Sequence, residues 1–153
     1  MTTAAPVELR LADEAATQAL GATLARALRP GSAICLSGPL GAGKSTLARA
    51  LIRALTTPDE DVPSPTFTLV QFYEGKDFPV AHFDLYRLTS PDEAYEIGLD
   101  EALEDGAALI EWPQRLEGQL PADRLDIDIA LDREARRARL VPHGVWRDLE
   151  FGS

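Results

Sequence analysis

The chain has 153 residues, enough for one domain with a real core and little room for a second. Its 45% hydrophobic and 26% charged content is ordinary for a globular protein, while a net charge of −10 argues against a broad phosphate-backbone footprint, which needs clustered Lys and Arg. No apolar run reaches the roughly 20 residues needed to span a bilayer, no basic-then-apolar leader opens the chain, and the one cysteine, Cys35, cannot form an internal disulfide. The expectation is a cytoplasmic protein, monomeric when free. Its acidic surface suits solubility or docking onto a basic face of a protein partner, and neither stable nucleic-acid binding nor a membrane is expected.

VELRL (7–11) alternates and predicts a short strand, with Asp13 placed to cap a helix. Ala16, Leu20, Thr23, Leu24, Ala27 and Leu28 then recur at helical spacing until Pro30-Gly31 ends the run. AICLS (33–37) is apolar with no polar face, as in a strand covered on both sides. After a glycine-rich turn, STLARALIRAL (45–55) reads as a helix with Leu47, Leu51 and Leu55 along one stripe. TFTLVQFY (66–73) and VAHFDLY (80–86) read as strands. SPDEAYEIG (90–98) predicts a helix with Ser90 as its cap, Pro91 at its first position and acids in its first turn. AALIEW (107–112) is the next strand, stopped by Pro113. RLDIDIAL (124–131) alternates strictly and RARLV (137–141) continues in the same style, predicting an antiparallel pair with one wet face. Strands alternating with helices, then a β-rich tail, predict an α/β domain over 1–153 with a mixed, mainly parallel central sheet.

GPLGAGKST (38–46) contains G-x-x-x-x-G-K-S as Gly38, Gly43, Lys44 and Ser45. Glycines at this spacing let backbone N–H groups turn inward around phosphate oxygens, and the following helix offers its positive N-terminal end. Lys44 would set an ammonium on the β- and γ-phosphates, and Ser45 its hydroxyl on Mg²⁺. The motif follows a buried-type strand and opens a helix, the context its chemistry requires, so the fold expected is a three-layer domain of the P-loop NTPase kind. The chain contains no Asn, so the Asn-Lys-x-Asp guanine signature is absent and ATP is the expected nucleotide.

A phosphate loop of this kind works with an acid at the end of a neighbouring apolar strand. Two are available, Asp84 ending VAHFD and Glu111 ending AALIE, and the spacing alone does not rank them. His82 lies two residues before Asp84, on the same strand face; it reads either as a base or as a histidine satisfied near the core. In SPTFTLV (64–70), Thr66 is either part of a turn entering a strand or a switch-like reporter on the γ-phosphate. DREARRAR (132–139) gathers four arginines, read as a solvated edge strand or as the source of one arginine that reaches the nucleotide. His143 sits in a turn-like VPHGV, and two histidines and one cysteine make no zinc-type cluster.

GPLGAGKST, SPTFTLV, HFDLYRL, EIGLDE and LIEWPQ occur in the order and approximate spacing of the TsaE (YjeE-like) bacterial ATPases, which the chain resembles over nearly its whole length. The resemblance implies an ATP-driven accessory in the biosynthesis of threonylcarbamoyladenosine in tRNA, one that binds a TsaB–TsaD pair and permits turnover without itself transferring the group. Carried over by motif, it implies phosphate contacts from Gly38, Gly41, Ala42, Gly43, Lys44, Ser45 and Thr46. It implies a Mg²⁺ site of Ser45, Glu111 and Asp84, the last as the Walker B-like aspartate, and Thr66 near the nucleotide. Lys44, Asp84 and Glu111 would then be the catalytic set, and Glu14 and Arg133 would flank the adenine. Two positions depart from the family pattern. Pro39 stands where Asp is usual, removing an acid and an N–H, and Ser45 stands where Thr is common, keeping the hydroxyl. The competing readings are a small-molecule kinase with DREARRAR as its lid and a non-hydrolysing, nucleotide-gated binding module. Trp112 is left to packing.

Overall fold

The computed structural model describes residues 6–39, 44–63 and 68–148. Seven strands, β1 (Val7–Leu11), β2 (Ala33–Ser37), β3 (Val70–Glu74), β4 (Pro79–Asp84), β5 (Ala107–Glu111), β6 (Arg124–Asp132) and β7 (Ala135–His143), form one sheet in the order β1-β7-β6-β2-β5-β4-β3. The central run β6, β2, β5 and β4 is parallel; β7 and β3 flank it antiparallel, and β1 pairs antiparallel with β7. The expected mixed sheet and antiparallel C-terminal pair are therefore present.

The apolar alternation of the central strands explains the layers. Ile34 and Leu36 of β2 join a core with Leu20 and Leu24 of α1 (Glu14–Ala27) and Leu47, Leu51 and Ile52 of α2 (Lys44–Leu55). Ala33 and Cys35 point the other way, into a second core with Ala94 of α3 (Asp92–Glu96) and Leu99 of α4 (Leu99–Asp105). Each fully buried leucine contributes about 1.5–3 kcal/mol relative to exposure, so both faces of β2 carry weight. The Asp13 carboxylate accepts the Ala16 N–H at 2.9 Å and caps α1 as expected, a device worth roughly 1 kcal/mol. The Arg29 guanidinium closes the other end by donating to the Arg26 and Leu28 carbonyls at 2.8 and 2.9 Å.

Four local expectations are corrected. The third strand starts at Val70, not at residue 66: Leu69 takes a left-handed φ of 69°, which breaks an extended run, and residues 64–67 lie outside the described ones. The fourth ends at Asp84, because the Tyr86 N–H turns back onto the Asp84 carboxylate at 3.1 Å. The 90–98 helix is only Asp92–Glu96, and α4 follows through Gly98 at φ 103°. Ser90 does not cap α3 with its side chain; the Glu93 carboxylate reaches back to the Thr89 and Ser90 N–H groups. Finally, β7 is no edge, since β1 pairs along it from Val7↔Leu140 to Leu11↔Arg136.

Candidate functional site

Because β2, β4, β5 and β6 are parallel, their C-terminal ends share one edge of the sheet, the usual place for a ligand in an α/β fold. The phosphate-loop segment leaves β2 there, and α2 begins at Lys44 on the same edge. β1 runs parallel to β6 across β7, which brings the start of α1 to this edge as well. Gly38 opens the loop at φ 138°, and any Cβ on it would run into the Ile129 carbonyl oxygen, so the motif's first glycine is required by both backbone and space.

Asp84 and Glu111 are direct register partners on β4 and β5, so the two acids that the spacing could not rank stand side by side. Both are buried, at 6% and 5% exposure. His82, on the same face as Asp84, places Nε2 2.7 Å from Glu111 Oε2. With Glu111 ionised, that bond needs the hydrogen on Nε2, so the histidine donates to the acid. His82 is thus buried near the core and inside the candidate site at once, paired through Nε2 while its Nδ1 finds no hydrogen-bond partner among the described residues.

Lys44 is 5% exposed, and its Nζ finds no hydrogen-bond partner among the described residues. Burial pushes its pKa below the usual lysine value, against the pull of the Glu111 and then the Asp84 charge. Its Nζ lies over the ring of Trp112, 4.0 Å from the centroid. Trp112 in turn tilts against Tyr86, with centroids 4.9 Å apart and planes at 52°. Neither aromatic was assigned from the sequence. Their signal was positional: Trp112 directly follows Glu111, and Tyr86 comes two residues after Asp84.

Ser45 is exposed in the first turn of α2. Thr46 and Glu14 line one cavity of about 190 Å³ together with Thr17, Glu134 and Arg136. Arg133 is exposed at the β6–β7 turn with φ 59°; its neighbours Glu134 and Arg136, rather than Arg133, line that cavity. Gly41, Ala42, Gly43 and Thr66 lie outside the described residues.

The donor set fits a phosphate-bound divalent cation better than an autonomous metal centre. Among the described residues no group of three or more His, Cys, Asp or Glu side chains is arranged to chelate a metal. Mg²⁺ shared with phosphates needs only one or two carboxylates, a number that the register-paired Asp84 and Glu111 would meet. A buried ammonium without a hydrogen bond is likewise the group a phosphate would satisfy.

Residues 11–139 match the family model described as threonylcarbamoyl adenosine biosynthesis protein TsaE. A Rickettsia conorii protein named tRNA threonylcarbamoyladenosine biosynthesis protein TsaE is 37% identical over 132 residues, 86% of this chain and 75% of that one. The Bacillus subtilis protein of the same name is 39% identical over 114 residues, 74% of this chain and 70% of its own. A crystal structure of Bacillus subtilis YdiB superposes with a TM-score of 0.77 at 28% identity, covering 97% of this chain and 93% of the other. Among the described residues no helix is long and apolar enough to cross a membrane. The chain belongs to the TsaE family of tRNA threonylcarbamoyladenosine biosynthesis proteins.

Proposed function

We propose that the protein is a Mg²⁺-dependent ATPase that acts in the cytoplasm with a TsaB–TsaD pair and enables their turnover in threonylcarbamoyladenosine formation, without carrying out the transfer. The observation that carries this reading is the buried Lys44 ammonium, without a hydrogen bond, at the head of α2 beside two register-paired acids. Lys44 binds phosphate charge and thereby recovers the interaction that burial denies it. Gly41, Ala42 and Gly43 are the loop residues that would offer backbone N–H groups to phosphate, with the positive end of α2 beside them. Ser45, Asp84 and Glu111 are the residues that would hold Mg²⁺, which when bound neutralises charge on the phosphates and stabilises the leaving oxygen. His82 fixes the orientation of the Glu111 carboxylate through its 2.7 Å hydrogen bond. The Trp112 ring lies over the Lys44 ammonium, and Tyr86 packs against the indole. Glu14 and the turn around Arg133 flank the base, and Thr66 reports on the γ-phosphate.

The test is ATP hydrolysis with and without TsaB and TsaD, for the wild type and for Lys44→Ala. Hydrolysis that is slow alone, rises with the partners and is lost in the variant is expected. A trio with no nucleotide-dependent association would overturn the reading. Transfer of labelled γ-phosphate to a metabolite would replace it with a kinase, and Mg-ATP binding without turnover even with partners would replace it with a gated binding module.

A further inference from the structure

Lys44 sits beside two buried carboxylates, both close enough to act on its charge, and yet its Nζ is hydrogen-bonded to neither. In a site shielded from water an ammonium and a carboxylate should collapse into a direct pair. What Nζ meets is the indole of Trp112, 4.0 Å from the ring centroid and well within the roughly 6 Å range of a cation–π contact. Glu111, the stronger of the two attractions, is held at 2.7 Å by His82.

The indole is held in place. Trp112 adopts φ 59° and ψ 51°, a left-handed conformation that bulky residues rarely take. Its backbone N–H donates to the Leu36 carbonyl at 3.3 Å, and Pro113 fixes the chain immediately after it. The Tyr86 ring backs it at 4.9 Å, and the Arg115 guanidinium lies 5.9 Å from the Tyr86 centroid. Strain of this kind persists only where the surroundings impose it. Here it turns an aromatic face onto the lysine.

We propose that Trp112 is a positioning residue for the phosphate-loop lysine: in the nucleotide-free protein its ring seats the Lys44 ammonium apart from Glu111 and Asp84. The cation is then ready for phosphate and the acids for the metal, instead of neutralising each other. The seating stands on the geometry alone; its consequence for Mg-ATP rests on the function proposed above.

Two measurements test it. The first uses unliganded protein and compares tryptophan emission of the wild type with Lys44→Met. Removing the ammonium from the ring should shift the emission. The same substitution in a Trp112→Phe background should leave the emission unchanged, because Trp146, the other tryptophan, is fully buried elsewhere in the core. Identical spectra for wild type and Lys44→Met, or a difference that survives in Trp112→Phe, would overturn the seating. The second measures the Mg²⁺ dependence of ATP hydrolysis. Trp112→Leu should raise the half-saturating Mg²⁺ about tenfold at a largely kept kcat, while Trp112→Phe, which keeps a ring face, should recover most of it. Equal Mg²⁺ dependence in the Leu and Phe variants would overturn the positioning role. An emission shift in a protein that binds no nucleotide would sink the ATPase reading and leave the seating intact.

Discussion

Glu111 has two jobs that one substitution can separate. Its carboxylate is buried and held by His82, so it contributes to the fold as well as to the candidate metal site. Glu111→Gln keeps a group that can hydrogen-bond to either histidine tautomer and should cost less than about 1 kcal/mol of stability in urea unfolding. Mg²⁺-dependent hydrolysis should fall far more than nucleotide binding, and unchanged hydrolysis would remove Glu111 from the site. His82→Leu should do the reverse to the fold, leaving a buried carboxylate without its partner at about 1–3 kcal/mol. Cys35 is the other residue whose surroundings dictate its chemistry. Burial, then the nearby Asp126 charge and hydrogen bond, push its thiol up to about 12, against the pull of Arg124. The native thiol should therefore resist alkylation except through unfolding, and rapid labelling of native protein at pH 8 would contradict its place in the core. Because the folded state holds this proton more tightly than the unfolded one, stability is kept below the unfolded pKa near 9.0 and lost as pH rises from there toward 12. Cys35→Ala should flatten that decline.

At the scale of elements, the contact between α1 and α2 turns on one residue. A Cβ on Gly21 would lie 2.8 Å from the Ala50 Cβ and 3.1 Å from the Leu51 backbone nitrogen. Leucine is the better helix former by roughly 1 kcal/mol, so propensity alone would make Gly21→Leu stabilising. The close approach decides the sign, and the variant should instead lose about 1–3 kcal/mol in urea unfolding; a stabilised variant would show that the helices part without cost. Patterns confined to one element were legible in the sequence: the Asp13 cap, the unbroken apolar run of β2, the strict alternation of β6 and the glycine spacing before α2. What escaped depends on partners distant in sequence or on single backbone angles. Four arginines made 132–139 look like a wet edge, but β1, more than 120 residues earlier, covers β7. Gly98 at φ 103° splits an acidic stretch into two short helices, and Leu69 at φ 69° delays β3. In the site, the two acids and the lysine could be named from motifs. The seat for the lysine could not, because Trp112 reaches it only through its own left-handed turn and the register that sets β5 beside β2.

Taken whole, the molecule carries a tension between its family and its charge. Membership of a tRNA-modification family suggests a grip on RNA, yet the chain has 25 acids against 15 lysines and arginines. The imbalance is also local. Residues 92–105 contain no Lys or Arg and expose Asp92, Glu96, Asp100, Glu101, Glu104 and Asp105 on the face opposite α1 and α2. Of the arginines along β7, Arg137 is already committed to Asp132 at 3.2 Å and Glu8 at 3.7 Å. Non-specific RNA affinity comes from cations that displace counterions from successive phosphates, and an acidic surface works against that exchange at every approach. The chain alone should bind tRNA more weakly than about 100 μM near physiological salt, outside the range of ordinary non-specific binders. A mobility-shift titration checks this directly. Half-saturation in the low micromolar range, weakening steeply as salt is raised, would reveal a phosphate-binding surface that the net charge conceals.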